Sequence, residues 1–139
     1  MKKEFRTKNL LSEFVLDPGF VVEGDLVLLS RTESDEQIEL RERLGLERWR
    51  IEMILNTRWA YELFVNRPEE LSRRTAIQAC QTIRDIWRSK LKLKFPDRSF
   101  FVMLDYDGPP YDIMSVSFCQ LEGAPEWLIS AMNRDKKHT

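Results

Sequence analysis

The sequence predicts an α+β domain in which two long antiparallel helices pack across one face of an antiparallel sheet, with a short C-terminal helix. Three observations support this fold class. β-forming residues are concentrated near the N-terminus and again in a hairpin near 99–120, and an apolar stripe at helical spacing lies between them. With 139 residues the chain is long enough to bury its own core. We therefore expect one domain over 1–139, with residues 1–10 and 134–139 frayed.

The N-terminal strands are predicted from two apolar segments, Phe20–Val22 and Leu26–Leu29. The polar residues between them include Gly24. The pattern therefore predicts either a hairpin or a single strand with a bulge at Gly24.

A short acidic helix is predicted next, from Asp35 to Leu44. Ser34 and Gln37 have the spacing of a capping box, in which the two residues satisfy free N–H groups of the first turn. Gly45 is predicted to end this helix, because glycine adopts the left-handed conformation without the steric cost of a Cβ.

Two longer helices are predicted after it. Residues 46–65 are apolar over more than one stripe of the helical wheel, which is typical of a buried helix. The second helix has apolar residues at spacings of three or four, at Ala76, Cys80, Ile83, Trp87 and Leu91. Residues 90–95 alternate lysine with apolar residues, which fits a strand as well as a helical tail. We place the end of the helix near Leu91.

The hairpin near 99–120 is predicted to form the middle of the sheet. Phe100–Leu104 is a continuous apolar run, typical of a central strand covered on both faces. Its second face would be covered by the short C-terminal helix that follows Pro125, or by a second copy of the chain. Residues 114–119 alternate apolar and small side chains, which predicts a half-buried strand.

The net charge of −1 hides two opposed blocks. Residues 12–47 have ten acids against three arginines, and residues 67–98 have nine bases against four acids. The basic block has the composition to contact phosphates. However, the sequence pI is about 5.9, whereas nucleic-acid modules are usually strongly basic. The arginines of this block therefore fit an ordinary solvated helix face as well as a binding surface.

One short string resembles a catalytic motif. Leu104-Asp105-Tyr106-Asp107-Gly108 is similar to the opening motif of haloacid-dehalogenase-type phosphohydrolases. The resemblance implies a nucleophile at Asp105, an acid/base at Asp107 and Mg²⁺ nearby. Pro109 departs from that motif, and too little chain remains for the Rossmann-like domain and later motifs of the family. No family is therefore assigned.

The same loop also has the ligands of a hard-cation site. Carboxylates such as Asp105, Asp107 and Asp112 are the ligands that Mg²⁺ and Ca²⁺ prefer, but their spacing does not match a calcium loop. Aspartates in turns also bond to their own backbone and solvate a loop tip. We predict no metal, and keep a small metal-dependent enzyme at this loop as an alternative hypothesis.

The sequence contains no recognisable catalytic set. His138 is the only histidine, and neither a Gly-x-Ser-x-Gly string nor a glycine-rich phosphate loop occurs. Cys80 and Cys119 have the spacing of buried free thiols rather than of a redox pair. We therefore predict no catalytic residues and no cofactor. No apolar stretch approaches the roughly 20 residues that span a bilayer, and no signal peptide is present, so we expect a cytoplasmic protein.

These observations favour a non-catalytic protein-interaction domain of the immunity, chaperone or assembly-factor type. Its tryptophans, arginines and opposed charge blocks suit the recognition of another protein, and a homodimer is a further option. A nucleic-acid-associated protein using residues 67–98 is the first alternative, although a nucleic-acid partner is not the one we favour. The predicted partner-binding residues are Arg73, Arg74, Arg84, Arg88, Asp105, Asp107, Tyr111 and Asp112.

Overall fold

The computed structural model describes residues 18–30, 35–59, 73–105 and 114–137. The strands in these ranges are β1 (Phe20–Glu23), β2 (Leu26–Leu29), β3 (Arg58–Trp59), β4 (Phe100–Asp105) and β5 (Ser115–Gln120). The helices are α1 (Asp35–Arg43), α2 (Arg48–Asn56), α3 (Arg73–Lys94) and α4 (Glu126–Lys137). Antiparallel sheets, one long helix and a short C-terminal helix confirm the predicted α+β class. No helix in the described ranges is both long enough and apolar enough to cross a bilayer.

The N-terminal segments form a hairpin, which decides between the two predicted alternatives. Glu23 pairs with Leu26 across a two-residue turn, and Phe20 pairs with Leu29 at the other end. Gly24 has a φ of 60°, in the left-handed region that residues with a Cβ avoid. The turn therefore depends on glycine at this position.

Helix α1 ends as predicted, at a glycine. The N–H of Gly45 donates to the carbonyl of Glu42, and the N–H of Leu46 donates to the carbonyl of Arg41. These two bonds, together with a φ of 76° at Gly45, define a Schellman motif. The predicted cap at Ser34 lies outside the described residues.

The central strand of the three-stranded sheet is β5, and the sequence-based choice of Phe100–Leu104 was wrong. The strand order is β3-β5-β4, which places β4 at the edge of the described sheet. All six residues of β5 are buried. Its serines made it look half-exposed, but Ser117 is covered by α2 and donates its hydroxyl to the carbonyl of Met53 at 2.8 Å.

One face of the sheet is covered by α3. The apolar stripe predicted for this helix is fully buried, from Ala76 to Leu91. It packs on side chains from both sheets, including Val27, Val102 and Phe118. Each large apolar side chain buried in this way contributes about 1.5–3 kcal/mol to folding.

The opposite face is covered by the other three helices. Leu26 and Leu28 pack on α1 and α2, while Phe101 and Cys119 pack on α2 and on Leu128 of α4. The prediction that β4 is covered on both faces is confirmed, with the C-terminal helix on its second face. The helices therefore lie on both faces of the strands. The expectation that both long helices pack across one face was wrong, because α2 and α3 lie on opposite sides.

Helix α2 is shorter than predicted. The expected helix over 46–65 ends at Asn56, and Arg58–Trp59 is a strand that pairs with Val116 and Ser115. At Thr57 the backbone is extended, with φ −74° and ψ 131°. The hydroxyl of Thr57 donates to the carbonyl of Met53. The helix ends here because the side chain of Asn56 and the backbone after it bond to strands. The rest of that segment, from residue 60, lies outside the described residues.

Helix α3 is longer than predicted, since it ends at Lys94 rather than near Leu91. The N–H of Phe95 still donates to the carbonyl of Leu91. The alternating lysines belong to a helix, and Leu93 is therefore 82% exposed instead of lying on a buried strand face. This extra turn carries Lys92, which lines a groove beside the start of β4.

The strands form two sheets instead of the one predicted, and two side chains of α2 join them. Asn56 accepts a bond from the N–H of Leu29 at 3.0 Å and donates to the carbonyls of Val27 and Phe118. Glu52, one turn earlier, accepts bonds from the N–H of Val27 and the N–H of Gln120, both at 2.8 Å. These side chains occupy the place of a backbone ladder between β2 and β5.

Candidate functional site

Glu52 is the most deeply buried acid among the described residues, but its geometry indicates a structural role. Its side chain is fully buried, and it accepts three bonds, from Val27 N, Gln120 N and Gln120 Nε2. Burial raises the pKa of Glu52, an effect that the three donors and the positive charge of Arg48 oppose. Because it accepts bonds from residues of both β2 and β5, the carboxylate holds β2 beside β5.

The cysteines are also buried in the core. Burial raises the pKa of Cys80 to about 12. Burial raises the pKa of Cys119 to about 12 as well, and the negative charge of Glu52 adds to this effect. A thiol that stays protonated and inaccessible is a poor nucleophile, so both cysteines behave as small core residues. The predicted burial of these thiols is confirmed.

Gln120 connects the bridge between β2 and β5, which Glu52 and Asn56 form, to the protein surface. Its side-chain Nε2 donates to Glu52 Oε2 at 2.7 Å and to the carbonyl of Asp25 at 2.8 Å. Its Oε1 accepts a bond from Arg98 at 3.3 Å. The Arg98 guanidinium also lies over the ring of Phe95, with Cζ 5.5 Å from the ring centroid. Arg98 is therefore positioned by two neighbours.

A groove of about 420 Å³ lies beside Arg98. It is formed by the last turns of α3, the turn that follows and the start of β4. Its described lining residues are Arg88, Lys92, Pro96, Arg98, Ser99, Phe100, Val102 and Leu121. Three of these carry a positive charge, none is acidic, and four are apolar: Pro96, Phe100, Val102 and Leu121. We call this feature the basic groove.

The cations of the basic groove come from two elements. Arg88 and Lys92 are four residues apart on α3, so they project from the same side of the helix. The Arg88 guanidinium donates to the carbonyl of Val102 at 3.5 Å and lies 3.8 Å from Asp85. Lys92 is exposed. The groove therefore combines two arginines that hydrogen-bond within the chain with one exposed lysine.

The predicted binding arginines are not all placed on one surface. Arg88 lines the basic groove, whereas Arg84 is only 7% exposed and lies 3.4 Å from Asp85. Arg74 is exposed in the first turns of α3, about 20 Å along the helix from Arg88. Arg73 begins the helix. The expectation of one solvated arginine face over this helix does not hold at Arg84.

The predicted acidic loop lies mostly outside the described residues. Asp105, which pairs with Ser115, is exposed as the last residue of β4, about 10 Å from Val102 along the strand. Asp107, Tyr111 and Asp112 fall in the undescribed segment. Within the described ranges, no group of three or more His, Cys, Asp or Glu side chains is placed to hold a metal ion.

Lys92 and Arg98 were not among the predicted site residues. A signal for Lys92 was present, because Lys92 lies one turn after Arg88 if residues 90–95 are helical. The sequence did not indicate that the groove is also lined by Phe100, Val102 and Leu121. Their place in the lining depends on the pairing of β4 with β5. Leu121 reaches the groove because its N–H donates to the carbonyl of Ser99.

No protein-family model, no curated protein and no solved structure matches the chain.

Proposed function

We propose that this chain is a non-catalytic protein-interaction domain that binds an acidic segment of a partner protein in the basic groove. The observation that carries the proposal is the set of three cations, Arg88, Lys92 and Arg98, around an apolar lining. Carboxylates form their strongest hydrogen bonds with such cations, and arginine offers a fork of donors that matches a carboxylate.

The apolar lining favours a protein segment over a nucleic acid. The half-buried side chains of Phe100 and Leu121 offer contacts to aliphatic side chains, whereas a phosphate backbone is bound by a continuous basic stripe. The whole chain has a net charge of −1, so its positive potential is local. A local basic patch steers an acidic partner towards one site and orients it there.

Charge reversal at one lysine tests the proposal. A fluorescent peptide of about eight residues that alternates glutamate and valine is titrated with the chain, and its anisotropy is followed. Lys92→Glu is expected to weaken binding by about tenfold or more, because it replaces an attraction by a repulsion at an exposed position. Circular dichroism of the variant confirms that the fold is retained.

Arg74→Glu is the matched control, since it makes the same charge change on the same helix outside the groove. Binding of the peptide is expected to stay within about twofold of the unmodified chain. A single-stranded oligonucleotide serves as the competing probe. Tighter binding of the oligonucleotide, weakened equally by both substitutions, would favour a nucleic-acid-associated protein and contradict the proposal.

A further inference from the structure

The outer edge of β4 presents its backbone groups away from β5. On β5, the carbonyl of Phe118 and the N–H of Gln120 bond to side chains of α2, so the backbone groups of these residues point away from β4. Phe118 pairs with Val102, and Gln120 pairs with Phe100. Antiparallel pairs alternate between bonded and non-bonded types, so these pairs are non-bonded. The N–H and carbonyl groups of Phe100, Val102 and Leu104 therefore face outward.

The basic groove lies along this same edge. Phe100 and Val102 line it from β4, while Arg88 and Lys92 line it from α3. In the described part of the chain, β4 has a strand partner on one side only. An edge of this kind is a template for one more strand.

We propose that the acidic partner segment binds as an added β-strand along the outer edge of β4, with alternate acidic side chains facing Arg88 and Lys92. This inference rests on the proposed function and adds the conformation of the partner to it. The main-chain bonds of the added strand supply affinity, one of them replacing the 3.5 Å bond that Arg88 makes to the carbonyl of Val102, and the cations select acidic residues.

The spacing of the cations matches a strand. Arg88 contacts the backbone of Val102, and Phe95 packs on Phe100 with ring centroids 5.9 Å apart, so α3 and β4 run in opposite directions along the groove. Residues four apart on a helix rise by about 6 Å. Residues two apart on a strand, which point to the same face, are about 6.6 Å apart. Two alternate acids on one strand can therefore meet Arg88 and Lys92 together.

A second copy of the chain fits this edge less well. In an antiparallel two-fold pairing centred on Val102, the two copies of Arg88 would meet near the symmetry axis. Like charges in such a position oppose association. An acidic strand supplies the opposite charge at the same place.

The backbone bonds can be tested apart from the charges. Two N-methylated versions of the alternating glutamate-valine peptide are compared, one methylated on every valine nitrogen and the other on every glutamate nitrogen. Their charge and composition are matched. In an added strand only one of these two sets of N–H groups faces β4, so one methylated peptide is expected to bind about tenfold or more weakly than the other.

Amide hydrogen exchange of the chain provides the second measurement. The N–H groups of Val102 and Leu104 are expected to become protected when the unmethylated peptide binds, because they become donors to the added strand. The amides of Met103 and Phe101 face β5 and serve as internal controls, since their protection should change little.

The outcomes separate the two proposals. Equal binding of both methylated peptides, with Lys92→Glu still weakening the parent peptide, overturns the added strand and leaves the proposed function intact. No binding of the parent peptide at about 1 mM overturns both. Self-association of the chain and protection of the Val102 amide are also measured without peptide. If both occur, a second copy of the chain occupies the edge of β4, and the proposal of an acidic strand is overturned.

Discussion

The carboxylate of Glu52 accepts both the backbone N–H and the side-chain amide of Gln120, at 2.8 and 2.7 Å. The same carboxylate accepts the N–H of Val27 on the neighbouring hairpin. One helical side chain thus takes the place of strand-to-strand bonds between the two sheets. Gln120 in turn contacts Arg98, so the bridge that holds the sheets together also positions one cation of the basic groove.

Asn56→Ala tests whether the second residue of the bridge stabilises the fold. The substitution removes the partners of three buried backbone groups, Leu29 N, Val27 O and Phe118 O. An unsatisfied buried group costs about 1–3 kcal/mol, and water that enters the gap recovers part of the loss. We expect the free energy of unfolding in urea to fall by about 3 kcal/mol. Gln78→Ala, at an exposed helical position, should change it by less than about 0.5 kcal/mol.

Stability should depend on pH through Glu52. Its pKa in the folded protein lies above the ordinary value of 4.5. As pH rises above that value, the unfolded chain loses this proton before the folded chain does. The contribution of Glu52 is therefore fully present below pH 4.5 and is lost as pH rises through the folded pKa.

The comparison with Glu52→Gln isolates this effect, because glutamine does not titrate. The unfolding free energy of the unmodified chain minus that of the variant should decrease between about pH 4 and pH 7. Urea unfolding at several pH values measures the difference. A difference that increases over this range would mean that the three hydrogen bonds outweigh burial and lower the pKa of Glu52.

Phe118 should be among the most sensitive core positions. Its ring makes edge contacts with Phe20, Trp87 and Phe100, with centroids 5.5, 5.9 and 6.2 Å apart. Phe118→Ala should cost about 4 kcal/mol of unfolding free energy, and Phe118→Leu about 1–1.5 kcal/mol, because leucine fills most of the space without the ring contacts. Leu93→Ala, at a position that is 82% exposed, provides the control and should have an effect below about 0.5 kcal/mol.

The two cysteines should not react in the folded protein. Both have a pKa of about 12 and no solvent exposure. A chromogenic disulfide reagent at about pH 8 should label neither thiol on the timescale of minutes, and should label both once denaturant is added. Rapid labelling of the native chain would show that the core around Cys80 or Cys119 opens locally.

Local rules were sufficient for several elements. Gly45 marked a helix end and Gly24 a turn or a bulge, because only glycine adopts a positive φ without steric cost. The apolar stripe from Ala76 to Leu91 identified α3 and its buried face. These features depend on residues close together in sequence, so the sequence alone predicts them.

The errors occurred where distant segments decide the outcome. Residues 57–59 were assigned to the helix predicted over 46–65, and the pairing of Arg58–Trp59 with β5 selects a strand. The serines of β5 resemble an exposed face, and the contact of Ser117 with α2 makes them part of the core. Burial depends on which element lies above a residue, and local composition does not contain that information.

The candidate site was predicted only in part for the same reason. The basic segment 67–98 contains all three cations of the groove, and Arg88 was among the predicted residues. The sequence did not indicate that Arg84 is buried or that Phe100 and Val102 complete the lining. Arg84 was assigned to the exposed face of α3 but is buried, because the width of the buried face of a helix depends on what packs against it.

The amino-acid sequence by itself determined the α+β class, the two N-terminal strand segments, the long helix α3 and the concentration of positive charge near its end. Periodicity, turn residues and composition act over a few neighbouring positions and therefore remain visible in the sequence. The tertiary structure alone decided that β5 is central and that Glu52 and Asn56 join two sheets. It also decided that β4 carries a basic groove along an outward-facing edge. Each of these features joins residues that are far apart in the chain, and only packing brings them together.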